Sequence, residues 1–167
     1  DLKTHEEYFV QRGIDALKEG GIMAMIVPTS IMDNPSLNTF RLHINKQAEF
    51  LGAIRLPVGA FKHANASVTT DIVFFRKRPQ EVIDRLENLE RGELDKLFDA
   101  MILDAEFIAG SYFEKNPQYA LGEKKEIIYG RQIWEGDVNE EMLNATLDLL
   151  KPHTDNYEEV FGKKFTQ

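Results

Sequence analysis

The chain of 167 residues carries a net charge of -8 and contains no cysteine, which excludes disulfides and cysteine-based zinc sites and argues against a whole-surface nucleic-acid binder. The hydrophobic fraction of 43% is sufficient for a buried core. No apolar segment approaches the roughly 20 residues that span a bilayer, and no signal-peptide pattern opens the chain, so we expect no membrane association and a cytoplasmic location. Because the chain begins without Met and almost within a helix, we expect a fragment of a longer protein.

The first predicted element is a helix over residues 4–19. Thr4 followed by Glu7 is a capping-box pattern, and two glycines close the segment. Apolar residues recur through it at roughly helical spacing. They are Tyr8, Phe9, Val10, Ile14, Ala16 and Leu17. We expect these side chains to form the apolar face of the helix.

Three strands and a second helix follow. Residues 22–27 form a continuous apolar run closed by Pro28, which is typical of a central strand in a parallel sheet, covered on both faces. A helix is predicted over residues 39–48, a second strand over 50–56 and a third over 69–75. The predicted class of this part is therefore α/β.

The character of the chain changes after Pro79. Residues 81–103 predict a charged amphipathic helix with a break near Gly92, residues 105–137 read as irregular, and residues 138–150 predict another helix. The carboxylates of this region spread around the helix and indicate a solvated face rather than a metal site. They are Glu81, Asp84, Glu87, Glu90, Glu93, Asp95, Asp99, Asp104 and Glu106. We expect two parts, residues 1–79 and a helical or irregular appendage over 80–167.

Positive charge is concentrated in one stretch of the acidic chain. Residues 41–78 contain seven cations and two anions. Such asymmetry marks either a local surface for a polyanion or an ordinary solvated surface of mixed charge. Charge alone favours the second interpretation.

Three segments together resemble the later half of the catalytic domain of N6-adenine DNA methyltransferases. They read ALKEGGIMAMIVPTS, FRLHINKQAEFLGAIRLPVGAFKHA and SVTTDIVFFRKR. The resemblance is nearest to type I modification subunits and to large phage- or plasmid-type proteins that join a methylase to a helicase. It implies a partial Rossmann-like sheet of mixed direction, whose last strand, residues 69–75, is antiparallel.

The same resemblance implies a parent enzyme that transfers methyl groups from S-adenosylmethionine to adenine. The glycine-rich turn that binds this donor in the family, and its Asn/Asp-Pro-Pro-Tyr/Phe motif, are both missing here. The two Asn-Pro pairs continue with Ser36 and Gln118 and do not match. We therefore expect the fragment alone to be inactive and to bind S-adenosylmethionine weakly.

The loop over residues 58–68 is the candidate site. The resemblance implies that Phe61 packs on a flipped adenine, since base-modifying enzymes hold the extruded base against an aromatic or apolar surface. The alternative is that Phe61 covers the end of the sheet. Pro28 and Thr29 are expected to border the base pocket, although capping of the next helix explains Thr29 equally well. Candidate DNA contacts are Lys62, His63, Asn65, Ser67 and Thr69.

Two other classes of function stay open. The first is a non-catalytic DNA-binding or scaffold module of a helicase-containing protein, and the second is an unrelated α/β domain whose loop matches by accident. The expected partners are DNA and a helicase or nuclease module of the same parent protein. An unpaired sheet edge in the fragment would also allow self-association.

Overall fold

The computed structural model describes residues 4–58, 68–128, 131–136 and 140–150. The strands are β1 (Ile22–Pro28), β2 (Ala48–Leu56), β3 (Thr70–Lys77), β4 (Glu123–Ile128) and β5 (Arg131–Glu135). The longer helices are α1 (His5–Asp15), α3 (Asn38–Gln47), α4 (Gln80–Asn88), α5 (Arg91–Ala100), α6 (Ile102–Ala109) and α8 (Glu140–Leu150). Two one-turn helices, α2 (Ser30–Asp33) and α7 (Tyr112–Lys115), complete the set.

The first three strands form one sheet in the order β1-β3-β2. Strand β3 runs antiparallel to both neighbours, pairing Ile26 with Ile72 on one side and Ile54 with Ile72 on the other. The predicted mixture of α and β elements and the predicted antiparallel last strand are confirmed. The prediction that residues 22–27 form a central strand is wrong for the described part of the chain, where β3 takes the central place and β1 lies at an edge.

Helix α1 begins as the sequence predicts, with the Thr4 hydroxyl oxygen accepting a hydrogen bond from the Glu7 amide at 3.2 Å. It ends earlier, at Asp15, and its buried apolar side chains are Val10 and Ile14. Tyr8 and Phe9 are 54% and 59% exposed. The predicted apolar face was therefore too wide: the two aromatic rings lie outside the contact of α1 with the sheet.

The main core contains residues from both of the predicted parts. Phe107 of α6 stacks on Phe50 of β2 at 4.8 Å between ring centroids and meets Phe75 of β3 edge-on at 5.5 Å. Tyr112 packs edge-on against Phe50 at 5.0 Å. The division at residue 79 stays a prediction, but residues after it help to bury the faces of the sheet.

The region after Pro79 is more ordered than its sequence predicts. The predicted long helix is three helices. One break, at Leu89–Glu90, lies near Gly92 as predicted, and a second lies at Met101. The segment predicted as irregular contains the end of α6, helix α7 and the antiparallel pair β4–β5. None of the helices in the described ranges has the length and apolar character of a membrane span.

Candidate interaction surface

The outer edge of β2 is closed by groups from the second half of the chain. One carboxylate oxygen of Asp104 in α6 accepts a hydrogen bond from the Phe50 amide at 3.0 Å. The Arg55 carbonyl accepts another from the Leu121 amide at 2.9 Å. Every residue of β2 is buried. This edge therefore offers no surface to a further strand.

An ion cluster lies where β2 ends and β3 begins, with Arg55 and Asp71 buried and Asp33 exposed at its edge. The Arg55 guanidinium donates to both carboxylate oxygens of Asp71, at 2.8 and 2.9 Å, and to Asp33 at 3.0 Å. It also lies 4.3 Å from the centre of the Phe113 ring. The cluster joins β2, β3, α2 and α7, and its single cation is shared by two carboxylates.

The pKa values in this cluster follow from burial and pairing. Burial raises the pKa of Asp71 to about 6, although the hydrogen bonds from Arg55 act in the opposite direction. For Arg55, burial disfavours the charge, but Asp71 and Asp33 outweigh it and raise the pKa. Arg55 therefore keeps its charge, and the cluster is a cross-link between elements rather than an open pair of acid and base.

Three of the seven cations in residues 41–78 lie in the interior: Arg41, Arg55 and Arg78. Arg41 donates to the Ile108 carbonyl at 3.1 Å and to the Ile31 carbonyl at 3.2 Å. Arg78 donates to the Asn45 carbonyl at 2.8 Å and pairs with Asp104 at 3.4 Å. Arg78, which follows the last residue of β3, is fully buried and does not face solvent. Among the described cations of this stretch, these three are therefore not available at the surface.

The carboxylates of residues 81–106 are likewise partly exposed and partly buried. Seven of the nine are exposed, as the sequence predicts, whereas Asp104 and Glu106 are buried. Glu106 accepts a hydrogen bond from the Asn116 amide group at 2.6 Å. Among the described residues no cluster of His, Asp or Glu has the arrangement of a metal site.

The outer edge of β1 differs from that of β2. Among the described residues it has no strand partner beyond its pairing with β3. Residues at alternate positions of β1 share a face with Ile54 and Leu56 of β2. Ile54 and Leu56 are buried, but Ile22 and Ile26 on that face are 59% and 53% exposed. Within the described residues, this face of the sheet is therefore covered over β2 and exposed over β1.

A groove of about 400 Å³ lies between β1 and the first turn of α1. Its apolar walls come from Tyr8, Phe9, Ile26, Val27 and Pro28, and His5 and Glu6 add polar groups at one end. We call Tyr8, Phe9, Ile22 and Ile26, together with the outer edge of β1, the β1 surface. Large apolar side chains grouped in this way mark sites of protein interaction on soluble domains.

The predicted site residues that the structure describes lie at one end of the sheet, because Pro28 pairs with Thr70. Pro28 is exposed and Thr69 is buried. Thr29 directly precedes α2 but makes no side-chain cap there. Its carbonyl instead accepts a hydrogen bond from the Met32 amide at 3.0 Å. Phe61, Lys62, His63, Asn65 and Ser67 lie outside the described residues, so their proposed contacts with base and DNA stay predictions.

Sequence reasoning missed the residues that distinguish the two edges. The apolar run of β1 gave no sign that one face would be exposed, since an apolar run shows the tendency to be buried but not which neighbour buries it. Asp104 was read as one of many solvated carboxylates. The sequence of α1 did contain a signal that Tyr8 and Phe9 would be exposed. Val10 and Ile14, four residues apart, are enough to form the apolar stripe of a short helix, and Tyr8 and Phe9 lie beside that stripe.

No family model matches the chain, and no solved structure matches it significantly. The chain is similar to Defense against restriction protein B of Escherichia phage P1, with 34% identity over 143 residues. The match covers 84% of this chain but only 6% of that protein's length. The relative is thus a much longer protein, named for defence against restriction.

This finding corrects the interpretation drawn from the three sequence segments. The similar protein is named for defence against restriction and not as an adenine methyltransferase, so the recognition as a methyltransferase fragment is wrong. The name of the relative shares with the type I modification subunits only a loose connection to restriction. S-adenosylmethionine as a cofactor of the parent protein depended on the same resemblance and stays an untested prediction.

Proposed function

We propose that this chain is a non-catalytic module of a large anti-restriction protein, and that it serves as a scaffold on which other segments pack. The observation that carries the proposal is the similarity over 143 residues to the phage P1 protein. A segment that makes up 6% of so long a chain has the size of one module among many.

The polar clusters support a structural role. Arg55, Asp71 and Asp33 are paired with one another, and Asp104 is occupied by the Phe50 amide and Asn45. Groups committed in this way hold elements together, whereas a catalytic acid or base must reach a substrate. The β1 surface is the exposed apolar area that a scaffold would use.

We further propose that the three strands are one side of a larger Rossmann-like sheet. Two parallel strands with an antiparallel strand between them support this, as do α1 and α3 packed against β1 and β2. The apolar sequence of β1 fits an inner strand of such a sheet better than an edge strand. DNA, restriction enzymes and a helicase or nuclease module of the same protein stay proposed partners.

The test uses phage P1 with three forms of the gene: unchanged, lacking the matched segment, and with that segment replaced by this chain. The measurement is plating efficiency on restricting relative to non-restricting Escherichia hosts. We expect the deletion to lower plating on the restricting host and the replacement to restore it. Full protection without the segment would overturn the proposal for the relative, and failure of the replacement would overturn it for this chain.

A further inference from the structure

We propose that the β1 surface accepts an additional β-strand from elsewhere in the same large polypeptide, a strand that is apolar on both of its faces. The inference rests on the proposed function, since it takes the chain to be one module of a longer protein. It adds the partner, its chemistry and the residues that receive it.

The backbone of β1 is regular enough to pair with a second strand at its outer edge. Its pairing with β3 runs without irregularity from Ile22 to Pro28, whereas the pairing of β2 is irregular between Phe50 and Gly52. Natural sheets protect open edges with charged residues, bulges or covering segments. Strand β1 has no charged residue and no bulge, and its outer edge is uncovered in the described part of the chain.

The side chains around this edge determine the chemistry of the partner. On one face of the sheet an added strand would lie beside Ile22 and Ile26. On the other it would meet the groove formed with Tyr8 and Phe9 of α1. Because both sides are apolar, the partner strand should carry apolar residues at consecutive positions. A nucleic acid or an acidic peptide would find no cation along β1 to pair with.

The length of the relative favours an occupant from the same polypeptide over a second copy. In the phage P1 protein the matched segment is 6% of the chain, so each copy carries many other segments close to the module. A strand tethered in the same chain is present at a high effective concentration, whereas a second copy must be recruited from solution.

The experiment uses the complete gene product that contains this chain, with photoreactive p-benzoylphenylalanine in place of Tyr8. Protein labelled with light and heavy isotopes is mixed, irradiated and digested, and the cross-linked peptides are identified by mass spectrometry. The control carries the same probe in place of Ile102, which is 68% exposed at the start of α6. We expect the Tyr8 probe to join an apolar segment outside these 167 residues, within one copy of the protein.

A second pair of variants tests the contact itself. Ile26→Lys places a charge against the added strand and should lower the yield of this cross-link by about tenfold. Ile102→Lys, the matched control, should leave it unchanged. Cross-links between light and heavy copies, cross-links to another protein or to DNA, or none at all would each overturn the proposal. None of these readouts depends on plating efficiency, so the interface can fail while the anti-restriction role stands, and the reverse.

Discussion

The two edges of one sheet are built in opposite ways. Strand β2 is buried along its whole length, and side-chain and backbone groups from α6 and Leu121 occupy its outer hydrogen-bonding groups. Strand β1 has no charged residue, whereas β2 contains Glu49 and Arg55. Yet β1 exposes Ile22 and Ile26 and has no second neighbour among the described residues. The difference shows that apolar content does not determine where a strand lies in a sheet. The position is set by the segments that reach its edge.

The largest loss of stability is expected from a substitution in the core that packs against β2. Phe107→Ala removes the ring that stacks on Phe50 and contacts Phe75, and should lower the free energy of unfolding by about 4 kcal/mol. Urea denaturation followed by circular dichroism provides the measurement. Phe9→Ala, at the exposed β1 surface, is the control and should change stability by less than about 0.5 kcal/mol. Equal losses in the two variants would contradict the comparison of the edges.

A somewhat smaller loss should follow when the cap on β2 is removed. Asp104→Leu leaves the Phe50 amide and the buried Arg78 without their carboxylate, and should cost about 3 kcal/mol because Arg78 keeps its bond to the Asn45 carbonyl. Asp104→Asn, which keeps an acceptor oxygen, should lose less. The exposed Asp99→Leu is the control. The same urea titration compares all three, and an unaltered midpoint for Asp104→Leu would show that this cap is dispensable.

These two predictions rest on features that sequence patterns predict only in part. Periodicity and turn residues located α1, α3 and the first three strands closely, because those signals are local. The antiparallel direction of β3 was also predicted. The order of the strands around β3, the pairing of Arg55 with Asp71 and the burial of Arg78 depend on which distant segments meet, and single-residue patterns do not contain that information.

Sequence patterns fail to predict the β1 surface for a more specific reason. A run such as residues 22–27 has the same composition whether a neighbour covers it inside this segment or elsewhere in a longer protein. For Asp104 and Arg78 the error is the opposite one. As charged residues both are expected to face solvent, but they are buried and paired with each other. Sequence patterns therefore predicted the elements before Pro79 well, those after it less well, and the interaction surface poorly.

The pH dependence of the free energy of unfolding should come from Glu49 in β2 and Asp71 in β3. Burial, reinforced by Asp104, raises the pKa of Glu49 to about 7 from an ordinary 4.5. Between these values the folded protein binds more protons than the unfolded one, so the free energy of unfolding falls as pH rises from 4.5 to 7. The raised pKa of Asp71, about 6, acts in the same direction at lower pH.

Glu49→Gln removes one of these titrations. At pH 8 the variant should be more stable than the natural protein by about 2 kcal/mol, because it no longer buries a charge. At pH 4 the two should be nearly equal. Urea denaturation across this range is the measurement, with the exposed Glu87→Gln as the control. Parallel curves for Glu49→Gln and the natural protein would show that Glu49 does not titrate in this range.

The smallest effect on stability is expected at the open edge. Ile26→Lys should change the unfolding free energy of the 167-residue chain by less than about 0.5 kcal/mol, since Ile26 is already 53% exposed. It should, however, reduce self-association of that chain, because a charged residue opposes pairing between edges. Analytical ultracentrifugation over a range of concentrations compares it with Ile102→Lys. A large loss of stability would mean that β1 is covered after all.

The central place of β3 has a consequence for how the chain acquires its structure during synthesis. Strand β1 ends at Pro28, but the strand that it pairs with begins only at Thr70. Until that later segment leaves the ribosome, β1 has no partner in this sheet and β2 has none either. The pairing of β1 with β3 then closes over residues 29–69, a much longer stretch than residues 57–69, which join β2 to β3. Such non-local closure slows folding, and the nascent apolar β1 stays accessible to chaperones in the meantime.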